Sequence, residues 1–300
     1  MITPKTEWQG YALAIGACTL FALIPWYLQL LSPLSGNLLF GYRLLSQLLC
    51  ALIIIVITRR SRELNSCLRS PGQLVIFLLT APLIAVQWWL FFWAPVSGFT
   101  VDMAMGYFLL PLTMAFTGKF VFGEQMRPLQ WLALLLAIAG VAIEVRSTGA
   151  FSWVTLLVCL GYPPYFILRR RLPLDTRLNF AAENLLLLPV GLIFVAMAAG
   201  NADQLLPDRS YGLAWLFGAG VIGTIAMLMF VAASSRLSFT VFGLLGYLEP
   251  VLLMAVALFV LGESISNEQA VSYAMFSAAV GFVIADSYLR WKRNTPVTVR

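Results

Sequence analysis

The sequence predicts an all-α integral membrane protein with ten transmembrane helices, arranged as two inverted five-helix repeats. Three observations support this fold class: an apolar composition, ten long apolar runs and an internal repeat. The 300 residues are 61% hydrophobic and 11% charged, with a mean hydropathy of +0.88, whereas soluble domains contain about 25% charged residues. A soluble globular protein is therefore excluded. A folded nucleotide-hydrolysing domain is excluded too, because ten spans of roughly 20 residues leave only loops and tails.

Ten apolar runs separated by charged residues, glycine or proline have the length of membrane spans. They lie near residues 10–31, 38–58, 74–94, 101–118, 129–145, 150–168, 178–199, 212–233, 239–261 and 267–289. We expect residues 1–145 to form the first repeat, residues 146–289 the second, and residues 290–300 a basic cytoplasmic tail. An even number of spans puts both termini on one side of the membrane.

The basic residues predict which side that is. If both termini are cytoplasmic, the cytoplasmic segments hold sixteen of the nineteen lysines and arginines, and the opposite segments hold only Arg146 and Arg209. This distribution follows the positive-inside rule. Contact of these basic residues with membrane lipid accounts for the net charge of +6, so no nucleic-acid partner is expected. The first residues show no small-residue cleavage site, so we expect the first span to be retained.

Metal and cofactor chemistry is not expected. The chain has no histidine, which is the commonest metal ligand and proton shuttle. Its four cysteines show no CxxC spacing, so neither a disulfide framework nor a zinc site is predicted. No nucleotide-binding glycine motif follows a strand. We therefore expect no cofactor and no metal.

An internal repeat links the two halves of the chain. The segment FTVDMAMGY at Phe99–Tyr107 recurs as FTVFGLLGY at Phe239–Tyr247, an offset of 140 residues. Each copy is followed by a proline and then by a Gly-Glu pair, in the order Pro111, Gly123-Glu124 and Pro250, Gly262-Glu263. Five spans separate the copies, so the second copy enters the membrane inverted. Inverted repeats are typical of alternating-access transporters, whereas the alternative is a chance likeness of two apolar segments.

Several longer motifs resemble one transporter family. The stretch FGEQMRPLQWLALLLAIAGV at Phe122–Val141 resembles the signature after the fourth helix in the RarD-like branch of the EamA, or drug/metabolite transporter, superfamily. The run QWWLFFWA from Gln87 resembles that branch's NWxxFxWA, GYFLLPL from Gly106 its GYFxNPL, and ENLLLLP from Glu183 its ExxxLLP. Gln87 stands where the branch has Asn, and Pro163 and Pro164 are expected to interrupt the sixth helix. The resemblance spans the chain and implies an EamA fold, with a homodimer left open.

Two opposite charges within the spans are the main candidates for substrate binding. Arg43 lies about six residues into the second span and Glu183 lies at the same depth of the seventh, at the repeat offset of 140. A charge at a helix centre costs about 2.5–3.5 kcal/mol on insertion scales, so each must be compensated. In one interpretation Arg43 binds a substrate carboxylate and Glu183 faces an ammonium group or takes a proton. The alternative is structural: a buried salt bridge, or two separate helix clamps.

Further candidates are Glu249 and several aromatic or polar side chains. Glu249 precedes the helix-breaking Pro250 and is either a substrate contact, a proton-coupling site or a carboxylate satisfied locally at a kink. A tyrosine offers an apolar ring and one hydroxyl to an amphiphilic solute. The remaining candidates, for which packing of the bundle is the alternative, are Tyr107, Tyr247, Trp88, Gln87 and Tyr42.

The predicted function is a secondary transporter of the inner membrane that works by alternating access on a small-molecule substrate. The family resemblance implies export. Paired charges favour a small polar or zwitterionic metabolite, such as an amino-acid-like compound or an opine-type metallophore. The aromatic residues favour the alternative of an amphiphilic drug such as chloramphenicol, and an importer, facilitator or passive channel stays open. An intramembrane enzyme is disfavoured because no nucleophile–base pair or paired-aspartate motif is visible.

Overall fold

Helices make up the secondary structure of the residues described by the computed structural model, which are 4–29, 34–149, 151–172, 174–199, 209–259 and 266–294. Thirteen helices lie in these ranges: α1 (Pro4–Gln29), α2 (Gly36–Ile57), α3 (Ser61–Arg69), α4 (Pro71–Val96), α5 (Thr100–Phe120), α6 (Pro128–Thr148), α7 (Trp153–Arg169), α8 (Thr176–Leu186), α9 (Leu188–Ala199), α10 (Arg209–Ser234), α11 (Phe239–Leu245), α12 (Leu248–Phe259) and α13 (Asn267–Asn294). No strand occurs in them.

Eight helical segments in the described ranges are long and apolar enough to cross a membrane, and α11 and α12 together count as one of them. A ninth candidate is the pair α8 and α9, which is bent by 44° at Leu187. The sixth predicted run forms α7, an apolar helix of 17 residues, which is shorter than each of the eight candidate spans. The described residues thus form an all-helical structure with eight or nine candidate spans. The Gly262-Glu263 pair of the repeat and residues 295–300 of the tail lie outside the described residues.

The short helix α3 was not predicted, because its nine residues lack an apolar run. It is amphipathic: Leu64 and Cys67 are buried, whereas most of its other side chains are exposed. Through these two residues α3 packs against α4 and α8. A short amphipathic helix of this kind lies between two spans without crossing the membrane.

The sixth helix is continuous, which corrects the expectation that Pro163 and Pro164 interrupt it. Both prolines lie inside α7. A proline leaves the carbonyl four residues before it without its helical donor. For Pro163 that carbonyl belongs to Cys159, and it accepts a 2.6 Å hydrogen bond from Thr113 Oγ1 of α5. The side chain of a neighbouring helix thus replaces the missing backbone donor.

The helices around the centre of the bundle pack in related pairs. Helix α1 packs against α10 and α12, and α7 packs against α4 and α5. Helix α2 contacts α8, α9 and α10, while α6 pairs with α13 and α5 with α11. At the α6–α13 contact, Asp286 Oδ2 accepts hydrogen bonds of 3.0 Å from both Arg127 and Gln130. These contacts surround a central space, which is lined by residues of α1, α2, α4, α5, α7, α10, α11, α12 and α13.

Candidate functional site

Two adjoining cavities lie at the centre of the bundle. The larger has a volume of about 380 Å³ and the smaller about 50 Å³. We call them together the central cavity, because both are lined by Phe91, Tyr107, Leu110, Tyr162, Phe230 and Glu249. The larger volume falls within the roughly 300–1,000 Å³ typical of small-molecule sites. Most of the lining is aromatic or aliphatic, with a few polar groups.

The Arg43 guanidinium is the cationic group of the central cavity. Its Cζ lies 5.3 Å from the ring centroid of Trp88 and 5.4 Å from that of Phe92, both on α4. Arg43 is 8% exposed. Within the described part of the chain it forms no ion pair, and its Nε has no hydrogen-bond partner. Aromatic faces therefore hold a buried cation that no carboxylate of these segments neutralises.

Two glycines of α10 allow α2 to pack closely against α10. A Cβ at Gly220 would lie 2.1 Å from the Cβ of Ser46, and one at Gly223 would lie 3.0 Å from Gln47 Nε2 and 3.8 Å from the Arg43 guanidinium. Larger residues at these positions would push the two helices apart. Arg43 and Gln47 are one helical turn apart, so both lie on the face of α2 that meets α10.

Glu249 is the carboxylate of the central cavity. It lies in the first turn of α12, directly after the break between α11 and α12, and lines both parts of the cavity. Tyr107 and Tyr162 line the smaller part of the cavity together with Arg43 and Glu249. Glu249 forms no ion pair with any residue that the structure describes. Among the described residues, the cavity is thus lined by one cation, one carboxylate and the three phenol groups of Tyr107, Tyr162 and Tyr273.

The structure does not bring Glu183 to Arg43, which corrects that part of the sequence prediction. Glu183 Oε2 accepts a 2.5 Å bond from Arg169 Nη1 and a 3.2 Å bond from the Tyr165 hydroxyl. Neither part of the central cavity is lined by Glu183. Glu183 forms a buried salt bridge with Arg169 and not with Arg43, so the alternative that the two predicted charges pair with each other is not found either. The repeat offset matched the depth of the two residues along their helices but not the direction in which they point.

Three more predicted residues lie outside the lining of the central cavity. Tyr247 is fully buried: its hydroxyl donates to the Phe108 carbonyl at 2.9 Å and its ring stacks on Phe276 at 4.6 Å. Gln87 donates from Nε2 to the Leu157 carbonyl at 2.8 Å and thereby joins α4 to α7. Tyr42 packs beside a small cluster formed by Leu34, Leu38 and Leu216. Their contacts are those of packing residues.

Tyr162 is a cavity residue that was missing from the predicted site. It shares a pattern with Tyr107, because each follows a glycine and precedes a proline by at most four residues, as Gly106-Tyr107…Pro111 and Gly161-Tyr162-Pro163. Gly161, which precedes Tyr162, leaves room for the side chain of Gln87, since a Cβ at this position would lie 1.9 Å from Gln87 Nε2. The pattern alone does not identify a cavity residue, because Tyr247 in Gly246-Tyr247…Pro250 has it too and lies outside the lining.

Groups of three or more cysteine or acidic side chains that could hold a metal ion do not occur in the described residues. The groups that line the central cavity are those of a recognition site: a guanidinium and a carboxylate in its smaller part, phenol hydroxyls, and a large apolar surface. Such a site suits an amphiphilic solute with separated charges.

Comparison with known proteins identifies the family. No family model matches the chain. The chain is 39% identical to the chloramphenicol-sensitive protein RarD of Pseudomonas aeruginosa, covering 91% of this chain and 92% of the relative. It is 31% identical to an uncharacterized transporter of Pasteurella multocida, covering 95% and 99% of the two chains. A crystal structure with 16% identity shares the fold at a TM-score of 0.70, over 95% of this chain and 99% of that one. The chain therefore belongs to the RarD-like branch of the drug/metabolite transporter (EamA) superfamily and is a multi-pass membrane transporter.

Proposed function

We propose that this transporter exports a small zwitterionic, amino-acid-like metabolite across the inner membrane by alternating access. The observation that carries the proposal is Arg43: a buried guanidinium in the wall of the central cavity, without an ion-pair partner in the described segments and in a cavity that also holds Glu249. A buried charge without a partner is costly, and within membrane spans such groups mark substrate or ion sites.

The two charges of the cavity complement the two charges of a zwitterion. The planar guanidinium of Arg43 binds a carboxylate through paired hydrogen bonds, and Glu249 accepts an ammonium group. The aromatic lining between them, including Phe91 and Phe230, packs against an apolar side chain of the solute. A bound zwitterion neutralises both protein charges, which a singly charged or neutral apolar solute does not.

We further propose that the protein has ten spans in two inverted halves, residues 1–145 and 146–289, followed by a basic tail from residue 290. The helix contacts support this symmetry. The contacts of α1 with α10 and α12 correspond to those of α7 with α4 and α5 when the two halves are exchanged. In this arrangement α7 is the sixth span, and the central cavity lies between the halves, as in alternating-access transporters. The distribution of basic residues supports cytoplasmic termini.

An amphiphilic drug is the second candidate substrate, and the apolar lining of the larger cavity favours it. Most of that lining is contributed by phenylalanine, methionine, leucine, proline and tyrosine. The name of the Pseudomonas relative refers to chloramphenicol, which is an amphiphile without a zwitterionic head. A substrate of this kind would depend on the aromatic residues and less on Arg43.

Untargeted mass spectrometry of cells and medium tests the proposal. A strain that lacks the protein is compared with one that overproduces it. We expect an amino-acid-like zwitterion to accumulate in the deletion strain and to appear in the medium on overproduction. A change confined to drug resistance would support the second candidate, and depletion of a solute from the medium on overproduction would support import.

A further inference from the structure

A second cavity lies between α7, α8 and α10, outside the central cavity. It has a volume of about 450 Å³ and is lined by residues of the α7–α8 and α10–α11 turns, among them Arg169, Asn179 and Ser235. We call it the mouth cavity, because it lies at the ends of helices rather than between their middles. Phe166 is the residue that lines both the mouth cavity and the larger central cavity.

The mouth cavity carries buried polar atoms without partners. Arg169 and Asn179 are 5% and 3% exposed, and both line the cavity. In the described segments, Arg169 Nε and Asn179 Oδ1 make no hydrogen bond. Arg169 Nε carries a hydrogen and is a donor, whereas Asn179 Oδ1 is an acceptor. Unsatisfied buried polar atoms are costly. Both atoms are enclosed by the surrounding side chains, so a polar ligand in the cavity reaches this donor and this acceptor when those side chains move aside.

The charges around the mouth cavity balance in pairs. Arg169 is bonded to Glu183 at 2.5 Å, and Arg170 lies 3.9 Å from a carboxylate oxygen of Glu124. A ligand with a net charge would add an uncompensated charge to this partly buried space. A solute with no net charge adds none, and its carboxylate and ammonium can still bind the free donor and acceptor.

An aromatic cluster separates the two cavities. The Phe166 cluster consists of Phe166 of α7, Phe230 of α10 and Phe242 of α11, with ring centroids 4.6–5.7 Å apart. All three rings line the larger central cavity. Of the three, Phe166 also lines the mouth cavity, so a solute that moved from one cavity to the other would pass this cluster.

Glu124 and Arg170 hold the helices around this cluster together. Glu124, in the turn after α5, accepts hydrogen bonds from the backbone N–H groups of Phe239 at 2.6 Å and Thr240 at 2.8 Å, at the start of α11. Arg170 donates to the Ser234 and Leu237 carbonyls at 2.8 and 3.1 Å. The turn from the first half is thereby attached to α7, α10 and α11.

We propose that the mouth cavity is a second binding site for the transported zwitterion, which waits there before the Phe166 cluster opens towards Arg43 and Glu249. This inference rests on the proposed function. In the mouth cavity the Arg169 Nε–H group donates a hydrogen bond to the substrate carboxylate. Asn179 Oδ1 accepts a hydrogen bond from the substrate ammonium. Solutes with a net charge, including multiply carboxylated metal chelators, are discriminated against at this stage.

Cysteine protection tests the second site even while the natural substrate is unidentified. In a chain whose four buried cysteines, Cys18, Cys50, Cys67 and Cys159, are replaced by alanine, Ser235→Cys places a thiol at the exposed rim of the mouth cavity. The purified protein is labelled with a methanethiosulfonate reagent in the presence of L-phenylalanine, phenylacetate or phenethylamine, which share a ring and differ in charge. We expect L-phenylalanine to slow labelling and the two ions to have little effect at the same concentration. No slowing, or equal slowing by an ion, overturns the proposal.

Two asparagines provide a matched pair of variants. Asn179→Ala is expected to weaken protection of Ser235→Cys by about tenfold, because it removes a hydrogen bond to a charged group. Asn184 is equally buried, and its Oδ1 also has no hydrogen-bond partner in the described segments, but Asn184 does not line the cavity and its Nδ2 donates to the Phe180 carbonyl at 2.8 Å. Asn184→Ala is therefore expected to leave protection unchanged. Equal protection in both variants would contradict the role of Asn179, and thermal unfolding of each variant identifies a folding defect.

A thiol in the central cavity distinguishes failure of this inference from failure of the proposed function. Leu110 lines both parts of that cavity. If L-phenylalanine protects Leu110→Cys but not Ser235→Cys, the mouth site is wrong and the proposed function stands. If neither thiol is protected, both fail for this class of solute.

Loosening the Phe166 cluster tests the connection between the cavities. Vesicles are used in the orientation that exposes Ser235→Cys to a membrane-impermeant reagent. Phe166→Leu is expected to accelerate labelling of Leu110→Cys, whereas Phe116→Leu, at a lipid-exposed position of α5, is not. An unchanged rate in Phe166→Leu would show that the cluster does not separate the two cavities.

Discussion

The guanidinium of Arg43 lies 5.3 Å from the ring centroid of Trp88 in the wall of the central cavity. Phe92, one helical turn further along α4, holds the same group at 5.4 Å. The two rings stabilise the cation through their faces and leave the edge of the guanidinium, with its N–H donors, free. The aromatic rings thus stabilise a buried cation, and in the proposed function this cation binds the substrate carboxylate.

The repeat mates Tyr107 and Tyr247 are expected to respond differently to the loss of their hydroxyls. Tyr247→Phe removes a buried hydrogen bond to the Phe108 carbonyl, so it should lower the unfolding free energy by about 1 kcal/mol with little change in transport KM. Tyr107→Phe removes a hydroxyl from the central cavity and should raise KM at unchanged stability. Thermal unfolding and transport kinetics of both variants separate the two effects. The reverse pattern would contradict the assignment of Tyr107 to the site.

Glu249 is the expected proton-coupling group. In the proposed cycle its carboxylate alternates between a proton and the substrate ammonium, so Glu249→Gln should abolish accumulation driven by a pH gradient. Counterflow should persist at a raised KM, because the amide oxygen of glutamine still accepts a hydrogen bond from the ammonium but supplies no charge. Glu268→Gln, at an exposed position near the start of α13, serves as the control. Uptake of labelled solute into proteoliposomes with and without a pH gradient measures this. Gradient-driven accumulation at the wild-type level in Glu249→Gln would remove this residue from coupling.

The buried pair of Arg169 and Glu183 is expected to be fragile when only one partner is changed. Glu183→Gln leaves the Arg169 guanidinium buried without a countercharge and should destabilise the fold by about 3–5 kcal/mol. Combining Arg169→Met with Glu183→Leu removes both charges and should recover most of that loss. Denaturant unfolding in detergent micelles provides the comparison. A double variant that is no more stable than Glu183→Gln would show that the loss does not come from an unpaired charge.

Asp175 is expected to make stability depend on pH at the turn between α7 and α8. Hydrogen bonds from Arg177 lower the pKa of the Asp175 carboxyl, and the Arg60 guanidinium at 3.0 Å adds to this effect. A carboxyl whose folded pKa is lowered stabilises the fold at pH values above its unfolded pKa of about 3.9, and that stabilisation is lost as the pH falls through the folded value. Asp175→Asn keeps a helix-capping acceptor. The difference in Tm between wild type and variant should therefore shrink below about pH 4, and a constant difference would contradict this role.

The fold and part of the site could be predicted from the sequence because their signals are local. Apolar runs depend on composition alone, so most spans were placed to within a few residues. Arg43 and Glu249 stood out as charges in apolar segments, and both line the central cavity. The helix α3 was missed because a short amphipathic segment contains no apolar run.

The partner of Glu183 could not be predicted because it depends on helix rotation and on the geometry of a turn. Arg169 belongs to a run of three arginines at the end of a predicted span, where basic residues are ordinarily solvated. The α7–α8 turn folds this arginine back to Glu183, 14 residues along the chain. Tyr247 differs from its repeat mate for a related reason, since α11 ends at Leu245, just before it, and the break changes the direction of its side chain.

The most direct test of the central claim is the export flux of the solute identified by mass spectrometry, measured for wild type, Arg43→Gln and Arg43→Lys at matched membrane abundance. Arg62→Gln, at an exposed position of α3, is the control for loss of an arginine. The account predicts wild-type flux in the control, none in Arg43→Gln, and strongly reduced flux in Arg43→Lys, because an ammonium does not reproduce the planar fork. Wild-type export of the same zwitterion by Arg43→Gln would contradict the claim that Arg43 binds its carboxylate.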